Sequence, residues 1–107
     1  MGKNSAVRTL GNRIGNIVLH KMLITYTNKP ESVNHLFNEE NEYRAAALMD
    51  AKRFNWNEKD KQRLKILALE FIKNKSIKKY PDVLFPLKEA EMLINKELKE
   101  LIVKDRN

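Results

Sequence analysis

The sequence predicts an all-α protein, a single compact domain of about four helices in an antiparallel bundle or an orthogonal array. Three observations carry this. Apolar residues recur at three- and four-residue spacing through most of the chain, and no segment alternates with period two for long enough to make a secure strand. Three prolines and a few polar clusters then divide the periodic sequence into four pieces. With 107 residues the chain has the length of one domain, read as 1–107, and folding at that size buries roughly two-thirds of its surface.

The first helix is expected from about Ser5 to Thr27, with Asn4 or Ser5 as its cap and Val7, Leu10, Ile14, Ile17 and Val18 on one face. Leu19 and Leu23 fall outside that face, so the second half is apolar nearly all round. Such a helix is either central or part of an oligomer interface. Lys21 lies within the apolar arc and has to snorkel. Gly11 and Gly15 form a GxxxG pair costing about 1 kcal/mol each relative to alanine, which points to a close backbone approach by a helix or a ligand.

Pro30 suits a first helical position, opening a second helix to about Phe54 through Leu36, Tyr43 and Ala47. Asn57, with Asp60 three residues later, resembles a variant capping box for a third helix reaching Lys79, with Leu64, Leu67, Ala68 and Phe71 on one face. Tyr80-Pro81-Asp82 stops it. After a short extended piece, Pro86 starts a fourth helix with the stripe Ala90, Leu93, Ile94, Leu98 and Leu101.

The composition narrows the function classes. No cysteine is present, which excludes disulfides and thiolate metal sites and fits a reducing compartment. The residues before Leu10 contain no apolar signal core, and the most apolar stretch, 14–26, falls short of the ~20 residues of a membrane span. A cytoplasmic protein without a membrane partner is the expectation. The net charge of +7 is unevenly spread. Residues 1–29 hold Lys3, Arg8, Arg13, Lys21 and Lys29 and no acid. Residues 30–51 are acidic, whereas 52–81 hold ten basic side chains against Glu58, Asp60 and Glu70. Two cationic blocks favour a polyanionic partner. Lysine outnumbers arginine by 15 to 6 and asparagine and isoleucine are common, so part of the basicity is equally read as compositional habit.

The densest candidate site is Lys52, Arg53, Lys59, Lys61, Arg63 and Lys65, with Trp56 between its halves as a stacking ring. Cations beside an indole at a helix start suit a phosphate backbone and a base. The competing reading has Glu58 and Asp60 neutralising that turn and Trp56 packing between helices. The first helix carries Lys3, Arg8 and Arg13 with Asn12 and Asn16, and its Arg13, Asn16, His20 and Thr9 lie opposite the apolar arc on a polar side that suits a nucleic-acid backbone. Lys73, Lys75, Lys78 and Lys79 are explained by the negative end of their helix and only secondarily as more phosphate-binding surface.

Arg13 and His20 also have an Arg-x6-His spacing that resembles the active-site signature of HEPN ribonucleases. The resemblance covers these two residues alone. It implies metal-free RNA cleavage across a dimer interface, with His20 as general acid or base and Arg13 stabilising the phosphorane. Here the pair sits on the first helix, whereas that family usually carries it late in the bundle.

His35 with Glu31 and Glu39, one turn apart, has no second histidine at the spacing of a zinc site, and Glu39, Glu40, Glu42 and Asp50 read mainly as a solvated acidic face. No metal or cofactor is expected. The leading expectation is a non-enzymatic protein binding RNA or a ribonucleoprotein such as the ribosome, chiefly through phosphates, with DNA also open. The rival is a protein–protein module or homodimer through Leu19, Leu23 and Ile66.

Overall fold

The computed structural model describes residues 2–102. It contains four α-helices: α1 Lys3–Tyr26, α2 Val33–Ala51, α3 Glu58–Lys79 and α4 Leu87–Leu101, with one 3-10 turn at Pro30–Ser32. Among the described residues there is no strand, and the molecule measures 39 × 25 × 22 Å. The all-α, four-helix expectation holds.

Helix α1 packs along α2 and α3 and also touches α4. That position explains its composition. Leu10, Ile14, Ile17, Val18, Leu19, Met22 and Leu23 are all essentially inaccessible to solvent. A fully buried aliphatic side chain contributes roughly 1.5–3 kcal/mol, so α1 holds the fold together. The expectation that Leu19 and Leu23 form an oligomer surface is corrected: both belong to the core of this one chain. Ile66 is the member of that trio that faces solvent.

The helix directions follow from side-chain pairs. Arg13 meets Asp50, and His20 meets Glu39, so α1 and α2 are antiparallel. Lys3 pairs with Asp60, Arg63 with Asn4, and Gly15 lies against Phe71, so α1 and α3 run in the same sense. The α1–α3 crossing is close because of the two glycines. A Cβ on Gly11 would sit 2.8 Å from Leu67 Cβ, and one on Gly15 would sit 2.9 Å from both the Ala68 carbonyl oxygen and Phe71 Cβ. The glycines admit a helix, as the sequence suggested.

Helix ends shift by a few residues from expectation. Helix α1 begins at Lys3, so neither Ser5 nor Asn4 caps it, and Asn4 instead accepts a hydrogen bond from Arg63. Helix α2 stops at Ala51 rather than Phe54, and the Ala51 carbonyl accepts from the Trp56 indole N–H at 2.8 Å. At the start of α3 the capping box is complete: Asp60 N–H donates to Asn57 Oδ1 (2.8 Å) and Asn57 N–H to Asp60 Oδ2 (3.1 Å).

Lys21 is anchored among α1, α2 and α4, where its ammonium lies 3.0 Å from Glu40 and 3.9 Å from Glu97. Arg44 joins both carboxylates, and both Glu40 and Glu97 are buried. No reading of the acidic second helix anticipated this. Glu40 faces inward and is a structural ion partner, not part of a solvated patch.

Helix α3 buries little: Leu64, Ala68 and Ile72 form a single line with i, i+4 spacing. Leu67, Leu69 and Phe71 flank this line half-buried, and the opposite side of the helix is left to water. The cations of α3 are displayed for that reason.

Candidate nucleic-acid interface

The structure divides the ten residues singled out from the sequence. Arg8, Lys52, Arg53, Lys59 and Arg63 are exposed. Lys52 and Arg53 lie in the turn after α2, where Arg53 borders a shallow hollow with Gly2, Ala6 and Phe54. Lys59 lies in the first turn of α3, and Arg63 follows it by one turn. These five remain available to a polyanion.

The other five are occupied or turned elsewhere. Arg13 is paired with Asp50, and Asn16 is half-buried, its carbonyl bound to the His20 ring. Lys61 lies 3.4 Å from Glu58. Lys65 faces the α3–α4 groove beside Glu91 and Asn95. Trp56 is 8% exposed, packs edge-on against Phe54 and donates its N–H to Ala51. The stacking-ring role is corrected, because a buried indole with its donor satisfied has no face to offer. Lys3 lies 5.8 Å from its ring centroid and 2.7 Å from Asp60. The Lys3 bond draws the Asp60 carboxyl below its ordinary value. The competing reading of this turn therefore describes it better.

His20 is not on an exposed polar side. It is 3% exposed, packs against the Tyr43 ring, and has Nδ1 2.8 Å from the Asn16 carbonyl and Nε2 2.9 Å from Glu39. Both ring nitrogens are engaged, and α2 covers the face that carries Arg13. The HEPN-like arrangement needs both residues open to RNA at a dimer interface, whereas here His20 is buried and Arg13 is paired with Asp50.

The cationic surface that does assemble runs along the outer side of α3. Lys59, Arg63, Lys73 and Lys78 are exposed along α3, with Glu70, Ile66 and Ile77 exposed among them, and Arg8 of α1 lines the same trough as Lys78. Of the other two acids of α3, Asp60 is bound by Lys3 and also feels the charge of Arg63, and Glu58 pairs with Lys61. Where α1 and α3 meet, an open trough of about 300 Å³ is lined by Arg8, Asn12, Glu70, Asn74, Lys75 and Lys78, over Leu67 and Phe71. The lysines at 73, 75 and 78, read in the sequence chiefly through the helix dipole, border this surface or lie along the same helix.

A second cleft, of about 320 Å³, lies at the opposite end of α1, between residues 27–36 and 79–83. Glu39 is at its base, accepting from buried His20 and lying 3.1 Å from exposed His35. The His20 hydrogen bond holds the Glu39 carboxyl below its usual value against the opposing effect of burial. Lys29 and Lys79 at the mouth are balanced by Glu39 and Asp82, so the cleft has no excess of positive charge. Among the described residues no group of three or more His, Cys, Asp or Glu side chains is arranged to hold a metal ion, and no helix is long and apolar enough to cross a membrane.

No protein-family model matches this chain, and no curated protein and no solved structure shows a significant match to it.

Proposed function

We propose that this protein binds RNA, alone or within a ribonucleoprotein, by laying phosphates along the outer side of α3. One observation supports the reading above the others. A helix about 33 Å long presents Lys59, Arg63, Lys73 and Lys78, flanked by Arg8, while its acids other than Glu70 are taken up by Lys3 and Lys61. An exposed row of cations meets a phosphate backbone without reading bases, and its affinity depends on counterion release. Arg13, Asn16, Trp56, Lys61 and Lys65 drop out of the binding set, and Lys73, Lys75 and Lys78 join it.

The test is binding of an RNA oligonucleotide over a range of salt concentrations. Each phosphate contact to a single strand contributes a slope of roughly −0.7 in log affinity against log salt. Arg63→Gln with Lys73→Gln removes two contacts and flattens the slope by about 1.4, whereas Lys61→Gln leaves it unchanged. Equal slopes for all three proteins would remove the reading.

A protein partner is the second reading, favoured by Ile66 and Ile77, which are 57% and 72% exposed on the same helix. Binding that survives high salt and is lost on Ile66→Asp would select it. Leu23 cannot serve in that test because it is core.

A further inference from the structure

We propose that the trough between α1 and α3 seats an unpaired nucleobase, which makes single-stranded nucleic acid rather than a duplex the ligand of this face. The inference rests on the phosphate-binding reading above and narrows it.

Three features of the trough point to a base. Its floor is apolar and partly aromatic: Leu67 and Phe71 are half-buried, and Gly15, with no side chain of its own, lets Phe71 approach α1 closely. The Phe71 ring has a face open enough for the Lys75 ammonium to stand 5.3 Å from its centroid. A base stacking there displaces that ammonium towards the phosphate of the same nucleotide, keeping the cation in use. Stacking of this kind is the usual means of holding single strands, whereas the bases of a duplex are already stacked and paired.

The walls have the chemistry of a base edge. Asn12 comes from α1 and Asn74 from α3, and each carboxamide offers a donor and an acceptor side by side. Glu70 repels phosphate from the middle of the trough and accepts hydrogen bonds from the exocyclic amine of cytosine, adenine or guanine. Arg8, Lys75 and Lys78 remain at the rims for the flanking phosphates.

The experiment compares oligocytidine RNA of about 20 nucleotides with an RNA duplex carrying the same number of phosphates, at one salt concentration. Wild type, Phe71→Leu and Asn74→Ala are measured. Phe71→Leu keeps the apolar volume and removes the ring. The exposed Asn74 position tolerates truncation, so it decides the matter if Phe71→Leu fails to fold. The proposal expects the single strand to bind roughly tenfold tighter than the duplex, and each variant to lose roughly three- to tenfold on the single strand with duplex affinity unchanged. Equal affinity for the two probes, or full single-strand affinity in the variants, overturns the base seat and leaves the phosphate surface standing. Absence of binding to either probe at low salt overturns both.

Discussion

Arg44 on α2 and Glu97 on α4 are joined by two parallel hydrogen bonds, Nη1 to Oε1 at 2.7 Å and Nη2 to Oε2 at 2.9 Å. Glu97 is 1% exposed. The same guanidinium reaches Glu40 at 3.3 Å, and Lys21 reaches Glu40 from α1, so four charges tie three helices together. Removing Arg44 leaves two buried carboxylates to share the single Lys21 ammonium. Arg44→Ala is therefore expected to lower unfolding stability by about 3 kcal/mol, measured by urea denaturation. Replacing both partners with apolar residues, Arg44→Met with Glu97→Leu, is expected to recover most of that loss. A single variant as stable as wild type would show that the network contributes nothing.

Gly15 offers a test of the opposite kind. Alanine is favoured over glycine inside a helix by about 1 kcal/mol, so propensity alone predicts a more stable protein. The crossing predicts the reverse, since the added Cβ meets the Ala68 backbone oxygen at 2.9 Å and the helices must separate. Gly15→Ala is expected to cost about 1–3 kcal/mol net of that gain and to weaken RNA binding by spoiling the trough. A stabilised variant would refute the tight crossing.

Acid should loosen the contact between α1 and α2. The folded Glu39 carboxyl is held below 4.5, chiefly by its hydrogen bond to His20. A carboxyl with a depressed folded value stabilises the protein above its unfolded value and loses that contribution as pH falls through the folded one. The stability difference between wild type and Glu39→Gln is thus expected to be full near pH 6 and to shrink progressively below about pH 4. A difference independent of pH would contradict the assignment.

Trp56 separates packing from binding. Trp56→Phe leaves the Ala51 carbonyl without its donor and is expected to cost about 1–2 kcal/mol of stability, with RNA affinity unchanged. Indole emission of the wild type is expected to be that of a buried ring and to respond little to RNA. Strong quenching on RNA addition would restore the stacking role.

What the sequence made legible was local. Asn57 and Asp60 are three residues apart, so their capping box could be read directly, and the apolar stripes gave four helices because each is a property of one segment. Lys21 showed itself as a charge in an apolar arc, and Glu97 sits on the apolar stripe of α4 in the same way. Their shared network is non-local, and nothing in either segment names the other. His20 was misplaced for a related reason. A wheel drawn for one helix assumes a single buried side, while α1 is covered by α2 on the side that looked polar. The cationic surface was legible as two blocks but not as a face, because Lys3, Arg13 and Lys21 find carboxylates on other helices while Arg8 pairs with none among the described residues.

The most direct measurement is the backbone amide NMR spectrum of the protein titrated with oligocytidine RNA. Chemical-shift changes are expected along one side of the molecule, at Arg8, Asn12, Arg63, Phe71, Lys73, Asn74, Lys75 and Lys78, with α2 and the cleft around Glu39 left quiet. Changes centred on that cleft or on α2, or a spectrum unaltered by RNA at low salt, would contradict the proposal that the outer side of α3 is the binding surface.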